Sequence, residues 1–142
     1  MKLSTKGRYA ARAMLELAAA YGKGPIRLNK IAKKQEISVR YLERMMQSLV
    51  NAGLVCSMRG KNGGFVLSRA PDKICLSQII IATEGPLSLV DCVDSPDVCN
   101  RNEICVTRDI WIKMKDIMEG ALDSYSLEDM VRMRNKKLEN KS

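Results

Sequence analysis

The sequence contains no histidine. That absence removes the commonest proton shuttle and the nucleophile–histidine pair of acyl-transfer enzymes. Also missing are a glycine-rich phosphate loop of the P-loop type and any pair of acids on a recognisable scaffold. The chain therefore reads as a binding protein and not an enzyme. No apolar run reaches the length of a membrane span, and the start MKLSTKGRYAARAMLELAAAYGKG is too polar for a signal peptide. The expected location is the cytoplasm, with no membrane partner. There, five cysteines are thiols or metal ligands more often than disulfides. Acids are scarce in the first half: residues 1–75 carry 15 Lys or Arg against 4 Asp or Glu, a net +11, whereas residues 76–142 carry 9 against 12, a net −3. A basic half joined to a mildly acidic one is the charge footprint of a nucleic-acid-binding unit attached to something else, although a solvated basic surface gives the same count.

What is present is a full apolar complement, 46% of 142 residues, enough for a core that needs neither disulfide nor metal. From Ser4 to about Tyr21 a helical period places Ala10, Ala13, Met14, Leu17, Ala18 and Tyr21 on one face, and Gly22, Gly24 and Pro25 end it. Asn29 is the expected cap of a short second helix to Gln35. After the turn at Glu36–Ser38, Ser38 caps a third helix whose apolar face is Tyr41, Leu42, Met45, Met46, Leu49 and Val50. Its polar side carries Arg40, Glu43, Arg44 and Gln47. Two β-prone runs, LVCSM and FVLS, follow, joined by RGKNGG, where Asn62-Gly63 favours a tight hairpin turn. A helix-turn-helix followed by a basic, glycine-rich hairpin is a winged helix; an ordinary helical bundle with a hairpin is the plainer alternative. In the winged arrangement the second helix of the pair can lie in the major groove of double-stranded DNA, while Arg59, Gly60 and Lys61 on the wing reach the flanking minor groove or phosphates.

The acidic half begins at about residue 76, after a connection marked by Pro71. Ser77 is the expected cap of SQIIIATEG, which Gly85-Pro86 ends. From about Val106 to Leu122 a helix carries Ile110, Trp111, Met114, Ile117, Met118, Ala121 and Leu122 along one apolar stripe. Such a stripe suits a symmetric homodimer with the two copies packed antiparallel, though part of it can fold back on its own domain. Ser126 and Asp129 resemble a capping box opening a last short helix, SLEDMVRM, and the tail 132–142 has too little apolar content to order on its own. The expected fold is mainly α with a small β-hairpin wing: a winged helix-turn-helix domain (1–75), a loop and long dimerisation helix (76–131), and a flexible tail (132–142).

Within the acidic half, three cysteines fall within fourteen residues at the spacing Cys92-x6-Cys99-x5-Cys105. No C-x2-C pair of the kind structural zinc sites favour is present. Soft thiolates select zinc, copper(I) or iron–sulfur clusters, and three of them leave a cage one ligand short. Cys56 and Cys75 have no cysteine at ligand spacing and read as buried small hydrophobes.

The start MKLSTKGRYAARAML, the segment ISVRYLERMMQSLVNAGLV and the wing SMRGKNGGFVLS resemble the IscR-type winged-helix transcription regulators, a family that also has a cysteine loop ahead of a long dimerisation helix. The resemblance covers about residues 1 to 131. It implies that Ser38, Arg40, Glu43 and Arg44 face bases or phosphates and that Arg59 enters the minor groove. It also implies an iron–sulfur cluster on Cys92, Cys99 and Cys105, either 2Fe–2S or 4Fe–4S, with the resemblance favouring 2Fe–2S. Two departures leave the fourth ligand unassigned: Arg108 stands where the likeness to IscR itself implies a histidine, and Arg8 where some relatives have an acid. The leading expectation is a dimeric, sequence-specific DNA-binding regulator controlled by such a cluster. The alternatives are the same fold sensing through bare thiols, zinc or a partner protein, and, from another class, an iron–sulfur carrier or electron-transfer protein.

Overall fold

A computed structural model describes residues 2–141; Met1 and Ser142, the last residue of the expected tail, lie outside them. Ser4 opens α1 (Thr5–Ala19), its hydroxyl accepting from the Gly7 N–H at 3.3 Å. Ala10, Ala13, Met14 and Leu17 are buried along one face, but Tyr21, expected on that face, lies beyond the helix end and is exposed. α2 (Leu28–Gln35) starts before Asn29: Arg27 occupies the capping position and makes no side-chain cap. Glu36 turns the chain in the left-handed region (φ 56°), and the Ile37 N–H donates to the Ala32 carbonyl at 2.9 Å. Ser38 then caps α3 (Val39–Asn51) as its sequence position suggests, accepting from the Tyr41 N–H at 3.2 Å. Tyr9 of α1 meets Tyr41 of α3 edge-on at 5.9 Å between ring centroids, which fixes how the two helices cross.

The wing is an antiparallel pair, β1 (Val55–Met58) and β2 (Gly64–Leu67), with Met58 opposite Gly64. Its connection differs from the tight turn expected at Asn62-Gly63. Residues 59–63 form a five-residue loop, positive φ falls at Gly60 (107°) and Gly64 (148°), and the Gly63 N–H donates to the Gly60 carbonyl at 3.0 Å. The cause is tertiary. Ile26 pairs with Phe65 through N–H···O bonds of 3.0 and 2.8 Å, which fixes where β2 begins, and a Cβ at Gly64 would overlap the Ile26 carbonyl.

A 3₁₀ turn (Pro71–Lys73) leads to α4 (Leu76–Glu84). Ser77 does not cap it. Cys75 does so by position, with the Gln78 side chain accepting from its N–H at 2.8 Å, while buried Ser77 donates its hydroxyl to Asp123. The loop beyond holds α5 (Asp91–Asp94) and a second 3₁₀ turn (Pro96–Val98), then α6 (Val106–Asp123) and α7 (Leu127–Lys141). The capping box at the start of α7 forms as expected: Ser126 N–H donates to Asp129 at 3.0 Å and Asp129 N–H to the Ser126 hydroxyl at 3.1 Å. The helix it opens is longer than expected and carries the segment taken for a flexible tail through to Lys141.

One core joins these elements. Met14, Ile31, Leu42, Met45, Met46 and Leu49 are fully buried, and so are Ile74, Ile79 and Leu127 from beyond the wing. Each such side chain contributes roughly 1.5–3 kcal/mol by leaving water. α4 and α7 thus pack on α1 and complete the winged unit, and Leu76 and Leu127 are tied to Tyr125 and Ile74 through 2.9 Å backbone bonds. By contrast, no residue of α6 is buried.

Candidate nucleic-acid interface and cysteine loop

α3 has two faces set by its period. Leu42, Met45, Met46 and Leu49 turn inward, which leaves Ser38, Arg40, Glu43 and Arg44 exposed on the other side. Among the described residues Glu43 makes no ion pair with Arg40 or Arg44, so three charged groups stand free on one ridge. On the wing, Arg59, Gly60 and Lys61 are exposed at the loop tip. The loop is tied to the helix-turn-helix by Arg27, whose guanidinium donates to the Lys61 carbonyl. Sequence reasoning missed Arg27; its one signal was a cation placed just before a helix with no acid in its first turn.

α1 and α2 are locked by a buried acid. Glu16, its side chain 6% exposed, accepts from Gln35 (2.6 Å) and pairs with Lys34 (2.8 Å) and with Arg134 of α7 (3.3 Å). Arg12 in turn holds the Gln35 side chain and backbone at 2.8 and 2.5 Å. A carboxylate removed from water needs this many donors.

The cysteine loop hangs from α4 by a second junction. The Glu84 carboxylate accepts from both the N–H (2.5 Å) and the hydroxyl of Ser4, so the last residue of α4 holds the first turn of α1. Gly7 leaves room for that carboxylate, since a Cβ would stand 2.6 Å from the Glu84 Oε1 and displace it. Gly85 (φ 82°) then releases the chain into the loop.

Cys92, Cys99 and Cys105 are all half-buried free thiols. Their chemistry fits a soft metal centre, but the folded loop does not gather them: among the described residues no three His, Cys, Asp or Glu side chains form a metal-holding group. Cys105 caps α6 by position. The Thr107 hydroxyl lies 3.2 Å from its Sγ, and that contact, followed by the Arg108 backbone N–H, holds the thiol below its ordinary pKa. Arg108 donates to the Cys92 carbonyl at 3.0 Å and so ties the start of α6 to the start of the loop. Asp94 is engaged by Lys115 (2.7 Å) and by Ser88; these bonds, Lys115 foremost, hold its carboxyl below the usual range, and the same contact with Asp94 raises Lys115. Arg8 bonds to Thr5 within α1. Contrary to expectation, Cys56 is exposed on β1 and Cys75 is half-buried.

α6 leaves much of its apolar stripe bare. Ile110 (49%), Met114 (41%) and Ile117 (61%) are exposed, as are Val106 at its start and Ile104 just ahead of it, while Trp111, Met118 and Leu122 are half-buried. No helix among the described residues is long and apolar enough to cross a membrane.

A helix-turn-helix with a free polar ridge, followed by a basic wing, defines a winged-helix DNA-binding transcription regulator. Residues 3–133 match the family model described as Rrf2, iron-dependent transcriptional regulator, and the chain belongs to that family. It is 42% identical over 130 residues to the HTH-type transcriptional regulator CymR of Bacillus subtilis, covering 92% of this chain and 89% of that one. Its fold is similar to the solved structure of CymR, described as the global cysteine regulator of B. subtilis (TM-score 0.78, 41% identity, 94% of this chain and 98% of that chain). It is also similar to T. potens IscR (TM-score 0.77, 39% identity, 94% and 88%). These relatives are named as regulators, not as enzymes.

Proposed function

We propose that the protein is a homodimer that reads a double-stranded DNA operator through α3 and the wing. In this reading residues 1–75 make the DNA contacts, residues 76–131 receive the signal and join the subunits, and the cysteine loop is the receiving element. The observation that carries the reading is the free ridge of Ser38, Arg40, Glu43 and Arg44 beside the wing tip of Arg59, Gly60 and Lys61, on a half with net charge +11. Each phosphate neutralised by such cations releases counterions, and log K then falls by roughly 0.9 per decade of salt. Titration of labelled duplexes over a salt series should give a steep slope and a preference among sequences. Equal affinity for every duplex would remove the reading.

For the signal we propose an iron–sulfur cluster on Cys92, Cys99 and Cys105. Three soft thiols in one loop and the likeness to IscR support it. Among the described residues the three thiols do not form a metal-holding group, so this reading requires the loop to rearrange. Protein purified without oxygen should contain iron and sulfide and absorb in the visible. Cys92→Ala, Cys99→Ala and Cys105→Ala should each abolish that absorption, whereas Cys56→Ala and Cys75→Ala should not. Full iron in Cys99→Ala overturns the ligand set. The ungathered thiols, together with the likeness to a cysteine regulator, favour a second reading in which the loop signals without metal. Protein free of iron and sulfide, whose DNA affinity still changes when the three thiols are replaced, would establish that one instead.

A further inference from the structure

An open cavity of about 790 Å³ lies between the end of α1, the start of α2, the wing loop and α7. Its floor is apolar, formed by Ala19, Ala20, Pro25, Ile26 and Ile31. The rest of the lining is rich in cations, with Lys23, Arg27, Lys30, Lys34, Lys61 and Arg134 against Glu16 as the one carboxylate. Glu16 is already engaged by Lys34, Arg134 and Gln35. Lys23, Lys30 and Lys61 thus have no carboxylate partner among the described residues.

Two further observations point the same way. α2 begins with no side-chain cap and no acid in its first turn, and Arg27, Asn29 and Lys30 at its start line the cavity, so the positive end of its dipole lies beside it. Arg134 also lines the cavity, and its Nε is buried there without a hydrogen-bond partner. Cations held together over an apolar floor repel one another, and a bound anion relieves that repulsion. The volume falls in the range of roughly 300–1,000 Å³ typical of small-molecule sites, larger than a lone phosphate needs.

We propose that this cavity binds a small organic anion: a phosphate or carboxylate head held by the cationic wall, and a compact apolar body set on the floor. Because Arg27 and Lys61 join the cavity to the wing, occupancy opposes DNA binding. That second clause rests on the wing contacting DNA; the binding itself does not. A backbone phosphate of the operator offers the same head-group chemistry, and experiments without DNA separate the two sources.

The probes are phenyl phosphate and inorganic phosphate, titrated against the full chain in the absence of DNA, with chloride keeping ionic strength constant. The expected result is a saturable rise in Tm, reached at lower concentration with phenyl phosphate because of its apolar body. The exposed pair Lys23→Gln/Lys30→Gln should lose the rise, whereas Lys2→Gln/Lys73→Gln, the same charge change outside the cavity, should keep it. Phenyl phosphate should then weaken duplex binding by the wild type and not by the cavity variant. No saturable rise with either probe, or equal rises in all three proteins, overturns the proposal. If no probe binds the free protein but the cavity variant binds DNA more weakly, the wall belongs to the DNA backbone and the free-ligand site is overturned.

Discussion

Glu43 is an acid on a ridge otherwise offered to a polyanion, and it has no ion pair with Arg40 or Arg44 that would account for it. A carboxylate there accepts from a cytosine amino group and repels sequences that present only acceptors. Glu43→Ala should therefore broaden the sequences selected from a random-site library while general affinity stays level or rises; unchanged selection would count against base reading. Arg59 differs in that it adds attraction as well as choice. Arg59→Ala should cost about 1–3 kcal/mol at favoured sites if it reads the groove, measured as the ratio of affinities for favoured and scrambled duplexes.

At the scale of elements, the wing and α7 each depend on one local device. Gly64 holds φ at 148° with the Ile26 carbonyl where a Cβ would go. Gly64→Ala should destabilise the wing by about 1–3 kcal/mol, read as a lower denaturation midpoint and faster amide exchange at Phe65. At the start of α7, bonds from the Ser126 N–H and hydroxyl, and less so the charge of Arg132, hold the Asp129 carboxyl below its ordinary value of 3.8. A depressed carboxyl contributes stability that is whole above that value and is lost as pH falls through the folded pKa. Asp129→Asn should therefore lower stability near neutrality and reduce its fall between pH 3.8 and stronger acid. Parallel acid-unfolding curves for variant and wild type would assign the acid limb to other groups.

At the scale of the whole molecule, α6 is an 18-residue helix with no buried residue and an apolar stripe in water. On the proposed function a second copy of the same helix would cover that stripe with a complementary surface. Ile110→Glu with Ile117→Glu should convert the proposed dimer into a folded monomer by sedimentation, because the core of α1–α4 and α7 does not use α6. Weakened binding to two-half-site duplexes should accompany it, with binding to one half-site retained.

Periodicity, capping residues and charge were enough to define α1, α3, the wing strands, the Ser126–Asp129 box and the exposed α3 ridge, because those depend on neighbours within a few residues. The recognition ridge was legible for the same reason: Leu42, Met45, Met46 and Leu49 fix which side turns in, and Arg40, Glu43 and Arg44 follow. Tertiary contacts decided the rest. Ile26 pairing with Phe65 moved the wing turn away from Asn62-Gly63. Arg134 reaching Glu16, 118 residues away in sequence, helps hold against α1 a helix whose second half looked too polar to order. Ser77 is turned from a cap into a buried donor by Asp123. The cationic cavity needs α1, α2, the wing and α7 at once, and the three thiols, near in sequence, do not form a metal-holding group among the described residues. Local sequence sets each element and its faces; long-range packing, which no short window contains, sets which faces meet.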